Sequence, residues 1–203
     1  NTKIIAITGS CGKTSLKELL GSSLKKISKV STSPKSYNNK YGVPLSLFNI
    51  NQKDQYGVLE VGMDKKGEID LLSKIIKPEV SVITNINYAH AKNFKNIKQI
   101  ALAKSEIINN TKNNGFIVLN GDDYFFNLHK KIALEKNLNI LSFSIKKNNT
   151  NVKLISIKKI GKNFKIITKI NNLKSYFFIS NNFQNNILNI LATLTIMNIF
   201  FDT

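Results

Sequence analysis

Short apolar runs rich in β-branched residues alternate with stretches of helical spacing from residue 3 to residue 144. That alternation limits the possible folds more than any other feature of the chain. Residues 3–8 (KIIAIT) read as a buried strand. Residues 14–29 follow as a helix, with Leu16, Leu19, Leu20, Leu24 and Ile27 on one face. Residues 30–33 read as a short strand and 37–43 as a polar loop. Pro44 sits at a helix start that leads into residues 45–48. Strands are expected at 56–61, 80–86, 116–120 and 140–144, and helices at 67–76, 97–109 and 124–136. Pro78 stops the helix before it, and the Gly121-Asp122-Asp123 turn ends the strand before it. Strands alternating with helices predict a mostly parallel sheet covered on both faces.

From residue 152 the pattern changes. Runs at 152–160, 164–170 and 175–179 are separated by Gly161-Lys162-Asn163 and Asn171-Asn172, which predicts a small antiparallel meander. A helix over 183–200 closes the chain. There is no internal repeat and no linker-like boundary, so the 203 residues read as one α/β domain. Its richest apolar stretch, 187–201, is broken by asparagines and is too short to span a bilayer.

The first strand runs into its helix through ITGSCGKTS, residues 7–15. Gly9 and Gly12 permit a tight turn and close backbone approach, and the helix start offers free N–H groups to an anion. Lys13 can reach outer phosphates, and the Thr14 hydroxyl can sit on Mg²⁺. The full phosphate-loop pattern has a further Gly where Ile7 stands, so this is the shorter form, Gly-x-x-Gly-Lys-Thr. Its flanking strand and helix favour phosphate binding over a purely structural turn. Cys11 reads as a small variable loop residue.

The formal net charge of +18 raises nucleic-acid binding as an alternative. All of the basic residues are lysines scattered along a chain rich in Asn and Ile, as AT-biased codons would make them. Base and phosphate readers rely on the arginine fork, which is absent. No specific nucleic-acid partner is therefore expected, although the field can attract anionic substrates. A single cysteine excludes an internal disulfide and suits a reducing compartment, so a cytoplasmic location is expected.

Four further strings are YNNKYGVPLSL (37–47), LEVGMDKKGEI (59–69), TNINYAHAKNF (84–94) and AKSEI (103–107). Together with ITGSCGKTS, they occur in the order and approximate spacing of the Mur ligase family. Over nearly its whole length the chain resembles the central ATPase domain of that family. The Glu-x-Gly followed by Gly-Glu-Ile, and the Asn-Asn-x-x-Gly-x-Pro-Leu string, resemble one particular member. That member joins D-alanyl-D-alanine to UDP-N-acetylmuramoyl-tripeptide; its siblings add L-alanine, D-glutamate or a diamino acid.

The resemblance implies ATP and Mg²⁺, an acyl-phosphate intermediate, a monomer and no membrane insertion. It implies that residues 1–203 are the middle domain of a longer enzyme, lacking the family's UDP-binding first domain and its third domain. A start without Met agrees with that. It assigns ATP contacts to Gly9, Ser10, Cys11, Gly12, Lys13, Thr14 and Ser15, and catalysis to Lys13, His90 and Lys104. Thr14, Glu60, His90 and a carbamylated Lys104 would hold metal ions, and Asn38, Asn39 and Asn85 would lie at the substrate. The family's Gly-x-His-x-x-x-Asn string, near the adenine, frays here. Asn186 fits its last position, but Ser180 and Asn182 replace the Gly and the His. Asp122 and Asp123 read as turn residues, with a place near the nucleotide left open. Three alternatives remain: another Mur-type ligase, a folylpolyglutamate-type ligase, and a nucleotide-binding module that does not ligate.

Overall fold

The computed structural model describes residues 2–88, 93–180 and 186–201. Strand β1 (Lys3–Thr8) lies inside the sheet, and everything beyond its first residue is buried. It pairs in parallel with β3 (Tyr56–Glu60) on one side and with β4 (Val80–Ile83) on the other. β2 (Val30–Thr32) joins β3, β5 (Phe116–Asn120) joins β4, and β6 (Asn139–Ser144) joins β5, all in parallel. The sheet order is β2-β3-β1-β4-β5-β6-β7-β8-β9. Alternation along β1 sorts the two cores. Ile4 and Ala6 face α2 (Gly42–Phe48), α3 (Glu68–Ile76), α4 (Ile97–Asn109) and α5 (Phe126–Glu135). Ile5 and Ile7 face α1 (Lys13–Leu24) and α6 (Ile187–Phe200).

The meander is present as β7 (Val152–Ile160), β8 (Asn163–Ile170) and β9 (Leu173–Ser180), and it continues the main sheet. β7 pairs in parallel with β6 only through Phe143↔Val152 and Ser144↔Lys153. So short an overlap lets residues 145–151 connect two parallel strands without a crossover helix. Asp122 holds that connection, its carboxylate accepting from the N–H groups of Ile145 at 2.6 Å, Lys146 at 3.1 Å and Lys147 at 3.0 Å. Asp123 likewise accepts from Phe125 N–H, so α5 starts two residues later than the spacing predicts.

Three other boundaries differ from expectation. Helix α2 starts at Gly42 rather than at Pro44, because the Asn39 side chain accepts from Gly42 N–H and takes up part of the expected loop. Helix α1 stops at Leu24 rather than at residue 29, because its end tightens: Ile27 N–H bonds Leu24 O at 3.0 Å. Ile27 is consequently 54% exposed and leaves the apolar stripe. Strand β4 stops at Ile83 rather than at residue 86, because Thr84, Asn85 and Ile86 leave the ladder for other partners. The first part of the last expected helix, residues 183–185, lies outside the described residues. Among those described, no helix is long and apolar enough to cross a membrane.

His129 on α5 is buried and bonds Ala101 O on α4 at 3.2 Å. Burial lowers its pKa; the Ala101 carbonyl and Asp123 oppose that shift. Below pH about 6.5 the unfolded chain takes up this proton before the folded one does, so stability falls as the pH drops through that range. Thermal melting should show a shallower loss between pH 6.5 and 5 in His129→Gln than in the parent chain.

Candidate active site at the carboxyl ends of β1, β3 and β4

The loop between β1 and α1 is built by close approach. Gly9 has φ +144°, and a Cβ there would lie 1.9 Å from Thr84 Oγ1. Gly12 has φ +81° and caps α1, a conformation that costs glycine little. The segment after β4 braces the loop. Ser10 N–H bonds Asn85 O at 2.9 Å. The Asn85 side chain accepts from Cys11 N–H at 2.9 Å and donates to Cys11 O at 3.1 Å, while Thr84 Oγ1 donates to the same carbonyl at 2.7 Å. Ser10 Oγ donates to Asn87 O at 2.9 Å. Helix α1 has no side-chain cap and no acidic residue in its first turn, so its leading N–H groups face outward for an anion. Lys13 Nζ rests on Gly9 O at 3.0 Å, over the loop it opens.

Beside this loop, Glu60 ends β3 at 1% exposure. One carboxylate oxygen accepts from Thr14 Oγ1 at 2.7 Å, and the other accepts from Asn38 Nδ2 at 2.7 Å. A cavity of about 410 Å³ opens next to them. Lys13, Lys40 and Lys104 give it positive charge, and Asn38 and Asn39 line the same wall. Asn39 also accepts from Gly42 N–H at 2.9 Å, which starts α2. Asp64 and Glu68 stand at the acidic side. A second cavity, of about 500 Å³, lies along α1 and is lined by Thr14, Ser15, Glu18, Leu19, Ser22 and Asn186.

Lys104 is 1% exposed, which removes the plain alternative of a surface lysine. Burial lowers its pKa to about 7, helped by the charge of Lys13 and opposed by Cys11. A substantial share of this amine is therefore uncharged at neutral pH. Two residues along α4, Glu106 binds the start of α3: its carboxylate accepts from Gly67 N–H at 2.9 Å and Asp70 N–H at 3.1 Å. Burial raises its pKa against the pull of those N–H groups. Glu106 fixes the helix that carries Glu68, Leu71 and Leu72 into the cavity wall. Glu106→Ala would leave those amides without an acceptor. It should cost about 2 kcal/mol and lower the melting midpoint by several degrees.

The structure thus brings Gly9, Ser10, Cys11, Gly12, Lys13, Thr14, Glu60, Asn38, Asn39 and Lys104 to one end of the sheet. Ser15 and Asn186 line the second cavity. Asn85 spends its side chain on the loop backbone. His90 and Asn182 lie outside the described residues. Among the described residues, no three His, Cys, Asp or Glu side chains cluster as a metal centre. Sequence reasoning missed Thr84, Lys40 and Glu106. Thr84 was within reach, because a hydroxyl at the end of the strand beside β1 must meet the loop.

A parallel sheet with this loop at its switch point, a buried carboxylate beside it and a lysine-lined cavity define a nucleotide-dependent enzyme domain. A sequence model of the Mur ligase middle domain matches residues 7–197, and the chain belongs to that family. A UDP-N-acetylmuramoyl-tripeptide–D-alanyl-D-alanine ligase of Buchnera aphidicola subsp. Acyrthosiphon pisum is 45% identical over 145 residues, 71% of this chain and 31% of that relative. The crystal structure of MurF from Acinetobacter baumannii matches 97% of this chain and 42% of its own, with a TM-score of 0.87 and 30% identity. MurF ligase from Thermotoga maritima, solved in complex with ADP, matches 98% of this chain and 45% of its own, with a TM-score of 0.87 and 29% identity. The chain spans about a third of the length of the sequence relatives it matches.

Proposed function

We propose that this chain is the ATP-binding middle domain of a three-domain amide ligase that adds D-alanyl-D-alanine to UDP-N-acetylmuramoyl-tripeptide in peptidoglycan precursor synthesis. The observation that carries the reading is the Thr14–Glu60–Asn38 constellation between the phosphate loop and the lysine-lined cavity. The likeness to the Buchnera ligase supports the choice of substrates. The absence of a long apolar helix among the described residues suits a cytoplasmic enzyme, which we take to be a monomer.

In this reading the loop amides and Lys13 bind the nucleotide phosphates, and the second cavity takes the nucleoside end beside Asn186. The tripeptide carboxylate enters the first cavity. Its oxygen attacks the γ-phosphorus, ADP leaves, and an acyl phosphate forms. The dipeptide amine then attacks the acyl carbon, phosphate departs and the amine proton is lost to solvent or to a base. Lys13 and Lys40 line the cavity that holds these anions and offset their repulsion.

The donor set fits Mg²⁺: a buried carboxylate oxygen and a hydroxyl oxygen stand 2.7 Å apart, leaving phosphates and water to complete an oxygen shell. When bound, that ion neutralises the charge shared by the β- and γ-phosphates. Asn38 and Thr14 orient Glu60 toward it. The uncharged share of the Lys104 amine is suited to adding CO₂, forming an N–C bond and releasing a proton. The resulting carbamate would be an anion, and together with His90 it would provide for a second ion.

The test uses the full-length protein with ATP, Mg²⁺, UDP-N-acetylmuramoyl-tripeptide and D-alanyl-D-alanine, following phosphate release and product mass. Release that needs both acceptors and yields the pentapeptide is expected. Release with a different amine would keep the chemistry and change the substrate. Nucleotide binding without release under any acceptor would overturn the reading.

A further inference from the structure

Among the described residues, two lysines of this lysine-rich chain are fully buried, Lys17 and Lys104. Lys104 lines the cavity; Lys17 touches neither cavity. It lies on α1, one turn beyond Lys13 and Thr14, in the buried stripe formed with Leu16, Leu20, Gly21 and Leu24. A buried ammonium is costly unless its donors are satisfied. Here the Lys17 ammonium donates to Ser33 O at 2.7 Å and to Lys35 O. It also meets Glu18 at 3.2 Å, but that side chain is 62% exposed and the pair is weakened by solvent. The main partners are thus backbone carbonyls of the segment between β2 and α2.

That segment reaches Glu60 twice. Ser33 Oγ accepts from Glu60 N–H at 3.2 Å, and Asn38 Nδ2 donates to the Glu60 carboxylate at 2.7 Å. Asn38 O in turn accepts from Gly62 N–H at 2.7 Å, just past Glu60. The contacts close a ring. It runs from Lys17 along α1 to Thr14, from Thr14 to one Glu60 oxygen, from the other oxygen to Asn38, and back through residues 35–33 to Lys17. Lys35 has φ +44°, so the carbonyl aimed at Lys17 comes from backbone in a conformation that a lysine adopts at some cost.

We propose that Lys17 is a positioning residue: by clamping the 33–38 segment onto α1, it sets the angle at which Glu60 presents its free lone pairs beside Thr14. This rests on the reading of Glu60 and Thr14 as the cation pair. Lys17 touches neither nucleotide nor metal; it acts through Ser33 and Asn38.

The test is Mn²⁺ binding to the full-length protein with ADP, followed by electron paramagnetic resonance, for the parent, Lys17→Met, Lys17→Arg and Glu60→Gln. Lys17→Met should weaken Mn²⁺ binding about tenfold or more while leaving metal-free ADP binding within about twofold. Activity should return as Mg²⁺ is raised. Lys17→Arg keeps donors for the two carbonyls and should recover most of the affinity; if Lys17→Met does not fold, the comparison of Lys17→Arg with Lys17→Gln decides. A lower melting point with an unchanged Mn²⁺ titration would make Lys17 merely structural and overturn the proposal. Glu60→Gln separates the two failures. If it weakens Mn²⁺ binding and the Lys17 variants do not, only the Lys17 proposal falls. If it too leaves the titration unchanged, the cation reading of Glu60 falls and takes this proposal with it.

Discussion

Lys13→Ala in the full-length protein is expected to lower turnover by about 10³-fold, with nucleotide affinity falling as well. The side chain sits at the first position of α1 and makes one local bond, to Gly9 O at 3.0 Å. Losing that bond costs the fold about 1 kcal/mol or less. The fold around it rests on the buried Ile5, Ile7, Leu16 and Leu20. In the proposed chemistry the same ammonium lies where the transferring phosphoryl group gathers negative charge. Steady-state kinetics beside circular dichroism would check both halves. Unchanged kinetics would remove Lys13 from the site, and a collapsed melting curve would show that the loop depends on it for folding.

Glu60→Gln should be nearly as damaging to turnover, by about 10²-fold at fixed Mg²⁺. The change is close to isosteric. The amide oxygen can still accept from Asn38 Nδ2, and the Thr14 hydroxyl can rotate to accept from the new amide. What disappears is the charge that a hard cation needs from this buried position. The expected signature is a raised Mg²⁺ requirement with a melting midpoint within a few degrees of the parent. Kinetics at several Mg²⁺ concentrations would read it. An unchanged Mg²⁺ dependence would take Glu60 out of cation binding and leave it as the link between α1 and the Asn38 segment.

Much of the fold was legible because a parallel sheet buried on both faces leaves an unmistakable mark: KIIAIT, YGVLE and FIVLN have almost no outward-facing polar positions. The ends of elements were less legible. β4 continues to look like a strand through Ile86, since Thr and Ile suit a ladder. Only the nearby loop, with Cys11 O waiting for Thr84 and Asn85, pulls those residues out of it. Helix α1 looks longer than it is because Ile27 keeps the apolar spacing after the backbone has tightened.

The site was half legible. Gly9, Gly12, Lys13 and Thr14 announce an anion site by local order alone, because strand, turn and helix start are contiguous. Glu60, Asn38 and Lys104 meet them only through the sheet order, which placed β3 and β4 on either side of β1. Lysine burial could not be seen in so lysine-rich a chain for Lys104, whose helix carries apolar residues around much of its circumference. For Lys17 a signal existed: a charged residue occupying a place in the buried stripe between Leu16 and Leu20. Glu106 gave none, since its partners are backbone amides of another helix.

The two-pair junction between β6 and β7 has a mechanical consequence. So few ladder bonds make a poor tensile joint between the parallel part of the sheet and the meander. Helix α6 spans the joint, touching β5, β6 and β7 on one side and α1 on the other. Its first turn also brings Asn189 against Gly12, where a Cβ would meet the carboxamide oxygen at 3.1 Å. A pull on the meander is therefore shared between that short ladder and α6, and the helix carries its share to the loop between β1 and α1. Whatever leans on β7–β9 in the assembled protein leans, through α6, on the loop proposed to hold the nucleotide.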